Sequence, residues 1–259
     1  MWRPPRLERQ PDLTAERRLL RDLLAWLLPT RCFACGEPLG RLQHSGACAG
    51  CWADLVLLET PFCPGCGLPI PGQPLPAEAS PARCDACAGR PRAFDRVRPL
   101  VTYESLARRF LLRAKLGSYP ELLRILGLHL ARVVEIEGLA DGCRAVVPVP
   151  SHPWVTLRRG FSPASELARP VARRLGLPLR GWVRRRIGAV RTSKRLGALQ
   201  RRRAAHGAFR ARRDAAGLEI LLVDDVMTTG ATLEGCARAL KSAGARSVRA
   251  VVWARTLPD

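Results

Sequence analysis

The segment "EILLVDDVMTTGATLEGCARAL", residues 219–240, runs an aliphatic stretch directly into a polar loop. Four aliphatic residues, 220–223, precede two adjacent carboxylates, Asp224 and Asp225. A loop of threonine and glycine follows at 226–232, and apolar residues then recur at helical spacing from about Leu233. In parallel α/β sheets, ligands bind beyond the carboxyl ends of the strands. The segment therefore predicts a ligand site at the end of a central strand.

The loop carries the groups that a sugar phosphate needs. Free backbone N–H groups and the positive end of the following helix favour a phosphate. Thr228, Thr229 and Thr232 add hydroxyl donors, and Gly230 lets the backbone approach the ligand closely. Two neighbouring carboxylates disfavour each other's ionised forms unless a cation or hydroxyl donors share the site. A sugar phosphate with Mg²⁺ satisfies all these groups, whereas the simpler alternative is an ordinary turn whose acids cap the helix.

The chain around this segment alternates strands with helices. Apolar strand patterns occupy 97–103, 145–150, 218–225 and 247–255, and amphipathic helix patterns occupy 105–117, 121–136, 162–176 and 232–244. This alternation predicts an α/β domain over residues 93–259 with a parallel sheet covered on both faces. No G-x-x-x-x-G-K-[ST] sequence occurs, which argues against a P-loop nucleotide site.

Eight of the ten cysteines form four C-x-x-C pairs in a Pro- and Gly-rich segment, predicted as a domain over 31–92. Such pairs can hold a tetrahedral zinc ion, and a segment with few large apolar residues needs metal to fold. Disulfides and redox-active thiols are the alternatives. We predict two structural zinc sites, although spacing alone leaves a cross-brace pairing open. The predicted ligand sets are Cys32/Cys35/Cys48/Cys51 and Cys63/Cys66/Cys84/Cys87.

Residues 1–30 show leucines at helical spacing from Leu19 to Leu28 and charges throughout. The pattern predicts an amphipathic helix rather than a signal peptide or a transmembrane segment. We therefore expect a cytoplasmic protein.

The charge of the chain points to a polyanionic partner. The chain has 43 Lys+Arg against 22 Asp+Glu, and sixteen basic residues but only one acid, Asp214, lie between positions 167 and 214. We predict a single-stranded nucleic-acid surface here, with Trp154, Phe161 or Trp182 as stacking platforms or, alternatively, as core residues. A solvated charge run and GC-rich codon usage are the simpler explanations. The predicted contacts are Arg184, Arg185, Arg186, Arg191, Lys194, Arg195, Arg201, Arg202 and Arg203.

"LLVDDVMTTGAT" resembles the phosphoribosyl-pyrophosphate motif of type I phosphoribosyltransferases. The cysteine pairs, Lys115, "VVPVP", "RRGF", "GAF" and this motif, in that order, are similar to the ComF family from about residue 24 onward. The chain differs from the family at Ser162-Pro163, where Asn-Gln is common. The resemblance implies a double zinc ribbon joined to a type I phosphoribosyltransferase fold.

The resemblance also implies roles for individual residues. Asp224 and Asp225 would hold the ribose hydroxyls with Mg²⁺ and would be the catalytic acids of an active enzyme. The loop at Ser151 would take the place of the pyrophosphate loop, and the basic segment would match a mobile loop that closes over pyrophosphate. The 5′-phosphate would lie in the loop after the acids, so that the predicted ligand-binding set is Ser151, Asp224, Asp225, Val226, Met227, Thr228, Thr229, Gly230, Ala231 and Thr232.

Three functions follow as hypotheses. The first is a competence protein that binds single-stranded DNA during uptake and carries a phosphoribosyl-pyrophosphate site, with partners in the competence machinery at the inner membrane. The second is an active phosphoribosyltransferase acting on a base or amine, although no residue identifies the acceptor pocket. The third is a zinc-ribbon adaptor whose ligand site regulates a protein interaction.

Overall fold

The computed structural model describes residues 31–39, 46–58, 61–70, 83–117, 119–186 and 207–257. The predicted N-terminal helix lies outside them. The chain divides into two compact units, residues 1–54 and 55–259. The second cysteine cluster therefore belongs to the same compact unit as the sheet, whereas the predicted domain 31–92 grouped it with the first cluster.

The first unit contains a short helix, α1 (Ala49–Ala53), that begins directly after Cys48. The Cys48 thiol accepts a hydrogen bond from the Cys51 backbone N–H at 3.5 Å, in the position of a helix cap. Trp52 of this helix is buried, with 5% of its surface exposed.

The second unit is built on a four-stranded sheet of β1 (Arg96–Thr102), β2 (Ala145–Pro148), β5 (Glu219–Met227) and β6 (Ser247–Arg255). The order across the sheet is β1-β6-β5-β2, and all its strands are parallel. A separate antiparallel ribbon pairs β3 (Val183–Arg185) with β4 (Phe209–Ala211). The predicted parallel α/β sheet is confirmed, but the pattern did not predict the ribbon.

Among the described residues, five α-helices accompany the sheet. They are α2 (Ser105–Leu116), α3 (Pro120–Ile136), α4 (Pro153–Arg159), α5 (Pro163–Arg174) and α6 (Ala231–Ser242). Helix α6 and the ribbon pack on the face that presents Ile220, Leu222 and Val252. His129 of α3 packs against Trp253 with ring centroids 6.3 Å apart, and adjacent strand residues point to opposite faces. Helices therefore cover both faces of the sheet, as predicted.

The strand that carries the acid pair is longer than predicted. The pattern ended it at Asp225, but Val226 and Met227 still pair with Ala254 and Arg255 of the neighbouring strand. Strand β6 continues beside β5 to this point, so the backbone stays extended through both acids. The loop is correspondingly short, since α6 begins at Ala231 rather than near Leu233.

No helix among the described residues is long and apolar enough to cross a membrane.

Candidate ligand and metal sites

The acid pair lies at the carboxyl end of β5, where the two side chains differ in environment. Asp224 is buried, and its side chain accepts a hydrogen bond from the Asp225 backbone N–H at 2.9 Å. Burial, and then the neighbouring charge of Asp225, raise the pKa of Asp224 well above its ordinary value. Asp225 is less deeply buried than Asp224, and its side chain accepts a hydrogen bond from the Val226 backbone N–H at 2.7 Å. The pair thus combines a carboxyl that resists ionisation with a more exposed carboxylate.

Lys115 supplies the positive charge of this site. Its ammonium group forms an ion pair with the Asp225 carboxylate, and both side chains are more than four-fifths buried. Lys115 lies in the last turn of α2, one residue after the buried Ala114. Lys115 is part of the family resemblance, which implied no role for it. A lysine beside the buried face of a helix, in a chain with only three lysines, was the available signal.

The loop between β5 and α6 brings backbone and hydroxyl groups to the same edge of the sheet. Gly230, the residue before α6, has φ +75°, and a Cβ there would lie 2.6 Å from Cε of Met227. Only glycine fits this conformation and space readily. The Thr229 hydroxyl accepts from the Ala231 N–H at 3.4 Å. The loop therefore presents a helix start beside a carboxylate pair, as the sequence predicted.

The Ser151 loop follows β2, which pairs directly with β5. Because the two strands are parallel, both loops lie at the same edge of the sheet. The hydroxyl of Ser151 is 3.2 Å from that of Ser162, a position where the family commonly has asparagine. The substituted residue thus contacts the loop that the resemblance assigns to pyrophosphate. His152 Nδ1 is buried there without a hydrogen-bond partner among the described residues.

The cysteines form two clusters with the sequential pairing. In each cluster the four sulfur atoms lie within 4.8 Å of one another, as Cys32/Cys35/Cys48/Cys51 and Cys63/Cys66/Cys84/Cys87. Four thiols at this spacing fit a tetrahedral zinc ion, because Zn–S bonds are about 2.3 Å long.

One thiol in each cluster is prepared for metal binding. Burial acts to raise the pKa of Cys32, but backbone N–H groups, among them that of Cys48, outweigh it and bring the pKa to about 6. The same balance brings the pKa of Cys63 to about 7, with the Cys84 N–H donating at 3.4 Å. The thiolate is the metal ligand, so these N–H groups favour the binding form.

The predicted nucleic-acid arginines of the β3–β4 ribbon lie on two different faces. Arg184 and Arg186 are exposed, and Arg184 pairs across the ribbon with the exposed Arg210. Arg185 instead lies over the Phe209 ring, 5.5 Å from its centroid, on the side of the core. The other predicted contacts, Arg191, Lys194, Arg195, Arg201, Arg202 and Arg203, lie outside the described residues.

The three aromatic residues predicted to stack on bases differ in their exposure to solvent. Trp154 is 73% exposed on α4, together with Leu157 at 76%. Trp182 packs against the sheet core, and Phe161 is half-buried. Among the three, Trp154 alone offers an open ring face.

Comparison with known proteins agrees with this arrangement. A model of the double zinc ribbon domain matches residues 23–88, and a model of the phosphoribosyl transferase domain matches residues 157–257. The DNA utilization protein YhgH of Salmonella typhimurium is 30% identical over 233 residues, which cover 89% of this chain and 99% of that protein. The chain belongs to the ComF family.

A second relative of this ComF family chain is competence protein F of Haemophilus influenzae. It is 25% identical over 230 residues, covering 86% of this chain and 95% of that protein. Among solved structures, a glutamine phosphoribosylpyrophosphate amidotransferase from B. subtilis aligns with 50% of this chain and 25% of its own at 21% identity, with a TM-score of 0.36.

Proposed function

We propose that this chain is a ComF-type DNA-uptake protein that binds phosphoribosyl pyrophosphate with Mg²⁺ and also binds single-stranded DNA. The observation that carries the ligand assignment is the pair Asp224 and Asp225, which lies at the edge of the sheet shared with the Ser151 loop. A carboxyl buried beside a second acid costs stability, and such strain at a strand end is typical of a functional site.

The proposed ligand matches the groups of the site one by one. Asp224 and Asp225 would accept hydrogen bonds from the ribose hydroxyls, and Thr228 to Thr232 would hold the 5′-phosphate. Pyrophosphate would lie against the Ser151 loop. Lys115 would respond to the charge of the ligand. Its ion pair with Asp225 would weaken once a metal ion or a ribose occupies that carboxylate.

Calorimetry tests this ligand directly. We expect phosphoribosyl pyrophosphate to bind with one site per chain and to bind more weakly when Mg²⁺ is omitted. Ribose 5-phosphate alone should bind more weakly still, because it lacks the pyrophosphate group. A wild-type protein that shows no binding heat and no thermal shift with this ligand would contradict the assignment.

We assign a structural zinc ion to each cysteine cluster. The eight thiols form two closed sets of four, which fits a structural rather than a catalytic site. Elemental analysis of the purified protein should give two zinc ions per chain. A ratio near one, or disulfides in native preparations, would contradict it.

The DNA assignment rests on an exposed ring beside exposed cations. Trp154 projects from α4, and Arg158 lies four residues later on the same helix and is also exposed. Base stacking on such a ring contributes about 1–3 kcal/mol per base and tolerates any sequence. The exposed arginines of the ribbon would add phosphate contacts.

Anisotropy titration of a labelled oligonucleotide separates stacking from nonspecific apolar contact. Trp154→Ala should weaken binding by about 5- to 150-fold, which corresponds to the loss of one stacked base. Leu157→Ala is the matched control, since it removes an equally exposed apolar side chain from the same helix. Equal losses in both variants, or none in either, would remove Trp154 from the DNA surface.

A further inference from the structure

Arg255 connects the second cysteine cluster with the ligand loop. It is the last residue of β6 and is buried, with 8% of its surface exposed. Its Nε donates to the Cys66 carbonyl oxygen at 2.9 Å. Its Nη1 donates to the carbonyl oxygens of Thr228 and Thr256. One guanidinium group therefore holds a residue of a proposed zinc site and the first residue of the ligand loop.

The electrostatics of the cluster favour a cation at this position. Four thiolates around Zn²⁺ leave a net negative charge on the centre. A guanidinium is suited to this position because it stays charged when buried and donates in several directions.

The surrounding contacts fix the second cluster to the sheet. The Pro64 carbonyl accepts a hydrogen bond from the Val97 N–H at 3.0 Å, and a Cβ on Gly67 would lie 2.5 Å from Pro99. Because β1 and β6 are paired along their length, a displacement of the Cys63–Cys66 turn reaches the end of β6 directly. The two sites thus contact the same pair of strands, β1 and β6.

We infer that Arg255 is a positioning residue of the ligand loop, and that metal occupancy of the Cys63/Cys66/Cys84/Cys87 cluster stabilises the conformation of Thr228–Gly230. Cys66 would hold zinc through its thiolate, Arg255 joins the carbonyl oxygens of Cys66 and Thr228, and this connection would keep the N–H groups of the loop at the edge of the sheet. The part that concerns phosphoribosyl pyrophosphate rests on the proposed function. By linkage, each site should then affect the affinity of the other by the same factor.

Hydrogen exchange of the full-length protein tests the connection without a ligand. Removal of zinc by a chelator should increase exchange of the loop amides 228–232 by about tenfold, a typical strength of coupling between sites. The segment 220–223, in the centre of the sheet, should change little. In Arg255→Met the loop should exchange fast with or without zinc. A uniform increase over the whole unit, or an unchanged loop, would overturn the inference.

Arg249→Met is the matched control. Arg249 lies on the same strand, donates to the carbonyl oxygen of Leu139 at 3.1 Å and pairs with Glu219, but it contacts the amino end of the sheet. It should cost stability yet leave the zinc effect on the loop intact. If Arg249→Met abolishes that effect as well, Arg255 has only a general structural role.

A second measurement includes the ligand. Phosphoribosyl pyrophosphate with Mg²⁺ should slow zinc release from the second cluster by about fivefold or more in the wild type and not in Arg255→Met. Phosphoribosyl pyrophosphate can itself bind zinc and so change zinc release. Release from the Cys32/Cys35/Cys48/Cys51 cluster in the same sample is the internal reference for this effect. Binding without protection would contradict the coupling, whereas absence of binding would contradict the proposed function and leave the exchange result to decide the role of Arg255.

Discussion

The charged side chains at the carboxyl end of β5 are enclosed, whereas those of the β3–β4 ribbon are exposed. At β5, Asp224 is buried beside a second acid, and Lys115 pairs with Asp225 in a largely enclosed site. On the ribbon, Arg184 and Arg210 face each other across the strands and both are exposed to solvent. Enclosed charges act strongly on a small ligand that fits between them. Exposed positive charges attract a polyanion over a long range, and salt screens this attraction.

The largest effect is expected on the ribbon. Replacing Arg184, Arg186 and Arg210 with alanine should weaken single-stranded DNA binding by about 100-fold at 0.1 M salt, since each lost phosphate contact lowers the salt slope by about 0.7. The slope should thus fall by about 2. Titrations at several salt concentrations measure both quantities, and affinity for phosphoribosyl pyrophosphate should stay unchanged.

Three exposed arginines of α2 provide the control for net charge. Replacing Arg108, Arg109 and Arg113 removes the same charge from another surface of the same unit. If this variant loses as much affinity and slope as the ribbon variant, the interaction follows net charge and the ribbon is no specific surface.

A smaller effect is expected from the ion pair of the enclosed site. Lys115→Met should lower the free energy of unfolding by about 1–3 kcal/mol, because it leaves a largely buried carboxylate without its cation. Millimolar Mg²⁺ should restore part of this loss in the variant and have little effect on the wild type. Urea unfolding with and without Mg²⁺ measures both.

Lys241→Met gives the exposed counterpart. Lys241 pairs with Asp95 at 3.4 Å, with the Asp95 side chain 48% exposed, so its removal should cost less than about 1 kcal/mol. Equal losses in the two variants, or a Mg²⁺ effect in both, would mean that the Lys115 pair is not a cation-responsive site.

The smallest effect is a pH dependence of stability. Burial raises the folded-state pKa of Asp224, so its contribution to stability is complete below its unfolded pKa of about 4 and is lost as pH rises toward the folded value. Asp224→Asn stays neutral and keeps an oxygen to accept the Asp225 N–H. Its Tm relative to wild type should therefore increase as pH rises above about 4. A difference independent of pH would show that Asp224 ionises as easily in the folded chain as in the unfolded chain.

The features that could be predicted from the sequence are those encoded by neighbouring residues. The sequence predicted the strands that form the sheet, the loop after Asp225 and the cysteine sets, because period, glycine position and C-x-x-C spacing are local signals. It did not reveal the role of Lys115, because α2 and β5 meet only in the tertiary structure.

Three other features were equally beyond a local pattern. The β3–β4 ribbon has three-residue strands separated by 23 positions, too short for an alternation signal. The Ser151–Ser162 contact joins the ends of two different elements. The second cysteine cluster is bound to the sheet by Arg255, which in sequence appears as one arginine among many.

We propose that the enclosed acids bind the small ligand and that the exposed cations bind DNA. The most direct test measures both ligands on one preparation of the double variant Asp224→Asn/Asp225→Asn, which removes the charge and keeps the shape. We predict no calorimetric binding of phosphoribosyl pyrophosphate and single-stranded DNA affinity within about twofold of wild type, since separate sites contribute independently. A folded double variant that still binds phosphoribosyl pyrophosphate would show that the acids do not hold this ligand and would contradict the account.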